Sequence, residues 1–238
     1  MPNPPHSSTA KLGDIAAAAG IERVHVLAWR DLEDPEAGGS ELHIHEVARR
    51  WTALGLRVTM RTSHAPGRAE DTVRDGYRVI RRAGRYLIFP RAALSELAGR
   101  HGPADALVEI WNGVPFLSPL WHRGPRLVLL HHMHADMFRM VLPPNLARLG
   151  ELIERRLAPP FYRRSRIATL SESSKAEIVA GMGLPADRVA VVPPGIDPRY
   201  QPDPSVPRSR DPLLVAVGRL VPVKRHDLLI RAAAEARR

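Results

Sequence analysis

The sequence predicts an α/β fold built on a doubly wound parallel sheet, followed by the first βα unit of a second, incomplete α/β domain. Short apolar runs recur at 24–29, 57–62, 106–111, 127–131, 167–170 and 189–192. Runs without polar alternation suit parallel strands covered on both faces. The segments between them carry helical spacing, and strand alternating with helix is the pattern of a doubly wound sheet. A stretch punctuated by proline and glycine separates these units from one more apolar run at 213–217.

Residues 1–22 read as a loose tail. Pro, Ser, Lys11 and Asp14 stand where a signal peptide needs an apolar core, although Ala16 to Ala19 can extend a short helix. Val24 to Trp29 opens the sheet, and the next helix sets Ile44, Val47, Ala48, Trp51 and Leu54 on one face. Arg57 to Thr62 is the second strand, and Tyr77 to Arg81 an additional short one inside a basic stretch. Ala106 to Trp111 and Leu127 to His131 follow. Ile167 to Leu170 precedes a helix whose Ser174 and Glu177 have capping-box spacing before Ile178. Val189 to Val192 closes a first domain over 23–195.

Six further prolines and glycines lie between Pro193 and Pro212, a composition that keeps a chain out of helix and sheet interiors. Residues 196–212 are therefore a linker. Residues 213–238 hold one strand and one helix, and a lone βα unit cannot bury both its apolar faces. The expectation is a fragment of a longer protein, short of its second domain by roughly 150 residues.

The 238 residues are 44% hydrophobic, enough for one full domain with its own core and part of another. Without cysteine, disulfides and thiolate metal sites are excluded, and a cytoplasmic location is permitted. No apolar run approaches membrane-spanning length. Most of the +10 net charge comes from two segments: Arg61 to Arg91, with eight arginines against three acids, and Asn145 to Arg166, with six against two. Nucleic acid is not the expected partner, because no helix-turn-helix, zinc finger or aromatic stacking platform accompanies the charge. An anionic membrane surface, bound peripherally, fits better.

Chemistry gathers where strands end. Gly38 and Gly39 in Ala37-Gly-Gly-Ser-Glu41 sit between the first strand and its helix, where glycine allows close backbone approach and a helix start offers free N–H groups to an anion. The Gly-x-Gly-x-x-Gly pattern of dinucleotide enzymes is absent. His131-His-Met-His134 follows a wholly apolar strand. Adjacent histidines on an extended chain point to opposite sides, and no suitably spaced carboxylate completes a metal site, so metal is not expected. Glu109-Ile-Trp-Asn-Gly-Val-Pro-Phe116 puts a carboxylate, an indole and an amide at another strand end, with core packing of Trp111 and Phe116 the simpler account. At 213–217 the apolar run leads into Gly218-Arg219-Leu220 and Lys224, two cations placed to suit a diphosphate.

In this order the motifs resemble family 4 retaining glycosyltransferases of the GT-B fold, and the resemblance runs from Val24 to Arg238. It covers Trp29 to Leu42 with its glycine pair, the strand-end histidine, Asn112 with Pro115-Phe116, Ser171-Glu-Ser-Ser, Pro193-Pro-Gly-Ile-Asp197, and Gly218-Arg219 with Lys224. The resemblance implies a Rossmann-like acceptor-side domain and the start of a nucleotide-sugar domain. It implies transfer of a hexose from a UDP- or GDP-sugar, with retention, to a lipid-linked or glycan acceptor, without cofactor or metal. Arg219, Lys224, Gly38 and Gly39 would hold the donor diphosphate. His131 would contact the transferred sugar, with His132 and His134 as the alternatives at that strand end. Glu41, Asn112, His132, His134 and Ser171 would line the acceptor cleft. The family's pair of glutamates separated by seven residues is not present, so the expectation for this chain alone is an inactive enzyme. The alternative is a non-catalytic module that binds an anionic lipid or glycan.

Overall fold

A computed structural model describes residues 6–135, 137–207 and 209–236. Its centre is an eight-stranded sheet in the order β3-β4-β2-β1-β5-β6-β7-β8. The strands are β1 (Arg23–Leu27), β2 (Arg57–Thr62), β3 (Asp71–Arg74), β4 (Tyr77–Arg81), β5 (Ala106–Ile110), β6 (Arg126–Leu129), β7 (Arg166–Thr169) and β8 (Val189–Val191). Every pairing is parallel except that of β3 with β4. The chain winds outward from β1 through β2 to β4, returns to the other side of β1 at β5, and winds outward again to β8. The switch in direction lies between β1 and β5, and open α/β sheets take their ligands outside the carboxyl ends of the strands at that point.

The helices are α1 (His6–Ala18), α2 (Gly39–Ala53), α3 (Ile88–Leu97), α4 (Ser118–Trp121), α5 (Met137–Val141), α6 (Pro144–Leu152), α7 (Pro159–Tyr162), α8 (Glu172–Met182) and α9 (His226–Ala236), with a π turn at Ile153–Leu157 between α6 and α7. Strand side chains alternate between faces. Val24, Val26, Val58 and Met60 pack under Ile44 and Ala48 of α2, whereas Leu27 and Leu107 pack with Ile88 and Ala92 of α3. A third cluster joins Trp111, Val128, Leu130 and Tyr162 to Ile178 of α8.

Four expectations are corrected. Residues within the supposed loose tail form α1, although 1–5 lie outside the described residues. Strand β3, absent from the sequence reading, pairs with β4 through a turn at Asp75 and Gly76, both at positive φ; its single apolar residue, Val73, gives no alternation to find. The cap of α8 is Ser171, whose hydroxyl accepts from the Ser174 amide at 3.2 Å, so the helix starts at Glu172, two residues before Ser174. The run 213–217 is assigned to no strand and stays in solvent, Val217 being 95% exposed. A buried parallel strand needs neighbours on its edges and a layer on each face, and among the described residues it has neither. A 3-10 turn at Pro222–Lys224 and α9 do follow it, and α9 has no buried residue.

Candidate active site at the strand ends

Because β1, β5, β6 and β7 are parallel, their carboxyl ends share one edge. Trp29 and Arg30 follow β1, Trp111 and Asn112 follow β5, Leu130 and His131 follow β6, and Ser171 follows β7. Trp29, Arg30, Ser40, Glu41, Ile110 and Asn112 pack around a tight seam at the switch point that leaves no room for a water-sized molecule. A wider depression, bounded by Glu96, Trp121 and His122, opens instead near the amino ends of β5 and β6, away from the strand-end chemistry.

Gly38 is the N-cap of α2. Its amide donates to Glu41 Oε2 at 2.8 Å, as does the Ser40 hydroxyl at 2.9 Å, so buried Glu41 first of all braces the glycine turn. A Cβ built on Gly38 would lie 3.2 Å from Arg219 Nη2, whereas one on Gly39 would meet nothing within 4 Å. The Arg219 guanidinium reaches this turn from 183 residues away and donates through Nη1 to the Glu36 carbonyl at 2.9 Å. Two halves of the sequence-level site thus meet. Lys224 is less engaged: its stem passes Gly218, where a Cβ would sit 3.8 Å from Lys224 Cδ.

His131 is 9% exposed. Its backbone carbonyl accepts from Thr169 Oγ1 at 3.1 Å, and its Nε2 lies 3.0 Å from Nδ1 of His43 on α2. Burial, then the nearby His43, His132 and His134, lower the His131 pKa to about 4, so the imidazole is neutral at physiological pH. Burial lowers His43 as well. His132 turns its Nδ1 to the Met133 carbonyl at 2.9 Å and packs on His134 with ring centroids 4.8 Å apart. The His134 and Ala135 amides donate to the Glu154 carboxylate at 2.8 to 3.0 Å, and Glu154 is wholly buried. Ser171 spends its hydroxyl on the α8 cap.

Sequence reasoning missed His43, Glu154 and the role of Glu109. Glu109 is buried and accepts from the Phe116 amide, the Ser118 hydroxyl and the Tyr162 hydroxyl. It tethers the loop after β5, and burial pushes its pKa up. His43 sits at an ordinary helical position, where only its partner distinguishes it. Arg30, stacked 4.5 Å over Trp29 and 3.5 Å from Glu41, borders the tight seam.

Comparison with known proteins bears on this edge. The model of Glycosyltransferase Family 4 matches residues 37–200. A GDP-mannose-dependent alpha-(1-6)-phosphatidylinositol monomannoside mannosyltransferase of Mycolicibacterium smegmatis is 31% identical over 186 residues, which cover 71% of this chain and 45% of that protein. A D-inositol 3-phosphate glycosyltransferase of Nocardia farcinica is 39% identical over 77 residues, 29% of this chain and 17% of its own. The crystal structure of a glycosyltransferase from Rickettsia africae overlaps 76% of this chain and 45% of its own at a TM-score of 0.48 and 12% identity. The chain thus spans less than half the length of the curated relatives it matches. The family match takes in the glycine turn, the histidine loop and the α8 cap together, and the chain belongs to glycosyltransferase family 4.

Proposed function

We propose that this chain supplies the acceptor-side domain and the beginning of the donor side of a retaining glycosyltransferase that moves a hexose from a UDP- or GDP-sugar to a lipid-linked acceptor. The observation that carries the proposal is the seating of Arg219 on the Gly38 turn. A guanidinium beside a glycine turn at a helix N-terminus makes a bidentate-capable anion site at the switch point. The names of the two curated relatives, one GDP-mannose-dependent and both concerned with inositol compounds, support GDP-mannose as donor and a phosphoinositide glycolipid as acceptor.

The work of the residues follows from their placement. Arg219, Lys224 and the Gly39 amide take the diphosphate and stabilise the charge it gains on departure, while the Gly38 amide stays with Glu41. Neutral His131 faces the sugar without adding positive charge beside the developing oxocarbenium ion. The departing phosphate accepts the acceptor's proton, and no metal is required. Arg30, Glu41 and Asn112 border the strand-end edge at which the acceptor hydroxyl is positioned. The enzyme works at the cytoplasmic face of the membrane.

The test is calorimetric titration of GDP and UDP into the natural full-length protein and its Arg219→Ala and Lys224→Ala variants, with GDP-mannose transfer assayed beside it. A charge-assisted contact is worth about 1.5–3 kcal/mol, so each variant should bind its nucleotide roughly 10- to 150-fold more weakly. Unchanged affinity in both variants removes the donor-site assignment.

A further inference from the structure

The two arginine-rich stretches have opposite fates in the fold. In 61–91, Arg61 and Arg81 are buried. Arg74 pairs with Glu33, Arg78 with Asp71, Arg81 with Asp31, Arg82 with Glu70 and Arg85 with Glu36. Most of that stretch fastens the protein to itself, with Arg68 and Arg91 left exposed. In 145–166 the arginines at 148, 155, 156, 163, 164 and 166 are all exposed. The two acids of that stretch are already committed, Glu151 to Arg139 at 2.9 Å and Glu154 to the His134 and Ala135 amides.

Apolar side chains are interleaved with these cations. Leu146, Leu149 and Leu152 of α6, Leu157 of the π turn and Phe161 of α7 are 45–53% exposed. Steps of three residues set the first three leucines along one flank of α6, while Ala147, Gly150 and Glu154 form the buried side. An apolar stripe beside arginines that have no ion pair among the described residues is the surface that lies in a lipid headgroup region, with the aliphatic stripe in the acyl boundary and the guanidinium groups at anionic phosphates.

We propose that α6, the π turn and α7 form a surface that docks on a bilayer rich in anionic lipid. The proposal rests on the reading of a lipid-linked acceptor, and it explains how such an acceptor reaches the site. Glu154 lies on the inner side of this same helical run and holds the loop that begins at His131, so the docked surface backs the histidine loop.

The chain has no cysteine, so single cysteines can be placed and labelled cleanly. Leu149→Cys, labelled with an environment-sensitive dye, should shift to the blue with vesicles of phosphatidylcholine and phosphatidylglycerol. Val73→Cys, on exposed β3, should not. In sedimentation with the same vesicles, Arg148→Ser/Arg155→Ser/Arg156→Ser should lower the partition coefficient about 100-fold. Arg78→Ser/Arg82→Ser, from the paired stretch, should leave it within about threefold. Circular dichroism checks that each variant is folded. The proposal falls if the chain binds neutral and anionic vesicles equally or neither, if both dye positions shift, or if the triple variant binds as the parent does. It also falls if the Leu149 dye shifts only as the chain self-associates in analytical ultracentrifugation. No vesicle binding by the full-length parent, with transfer to a water-soluble acceptor intact, would sink the docking surface alone. Intact binding without transfer in the full-length protein would sink the enzymatic reading alone.

Discussion

His43 and His131 meet edge to face, Nδ1 of the first 3.0 Å from Nε2 of the second, with ring planes at 80°. One ring donates and the other accepts, so the contact selects a tautomer at each. It also ties α2, whose N-terminus carries the glycine turn, to the end of β6.

His43 is therefore a positioning residue for His131. In the full-length enzyme His43→Phe should lower kcat about 10- to 100-fold while the donor KM stays within about twofold. His43→Gln, whose amide can meet Nε2, should recover most of the loss. Equal kcat in His43→Phe and the parent would end this assignment.

Acid should unfold the protein partly through this pair. His131 titrates near 4 in the fold against the ordinary 6.5, so the unfolded chain binds more protons between those values. Stability is fully present above pH 6.5 and is lost as pH falls towards 4, by on the order of 3 kcal/mol from this group. His43, His132 and His134 surround it. Urea midpoints at pH 7.5 and 4.5 should converge more in His131→Gln than in the parent.

Gly38→Ala should separate stability from binding. The Gly38 φ of −139° suits any residue, and the new methyl crowds the far end of a flexible arginine while meeting Glu41 Oε2 at an ordinary 3.7 Å. Thermal stability should change by less than about 0.5 kcal/mol. Nucleotide affinity should fall, since the methyl displaces Arg219 and narrows the approach to the backbone. A calorimetric constant equal to that of the parent would count against the site.

Glu154→Ala removes the acceptor of two backbone amides in a dry interior. Leaving such donors unpaired costs about 1–3 kcal/mol, and more where the bond was to a charge. A loss of about 3 kcal/mol in chemical denaturation is expected, with faster hydrogen exchange at His134 and Ala135. Glu154→Gln, which keeps one acceptor oxygen, should lose less.

The sheet was legible because short strand-like runs alternate with helical segments: Arg57 to Thr62 and Tyr77 to Arg81 coincide with β2 and β4. The strand-end motifs were legible for the same reason, since residues that follow parallel strands share an edge. The fate of the arginines was not. Arg74, Arg81 and Arg85 find acids some fifty residues earlier, a pairing set by topology and invisible in a local charge count. The run 213–217 has a strand's composition, but a strand exists only in the company of others.

The acidic loop before Gly38 has a consequence of its own. Asp31, Glu33, Asp34 and Glu36 are gripped by Arg30, Arg74, Arg81 and Arg85. Holding a residue in one conformation costs about 1–2 kcal/mol, and here that cost is met when the protein folds. A molecule arriving at Gly38 meets a stiff lip and keeps the free energy it would otherwise spend on ordering it.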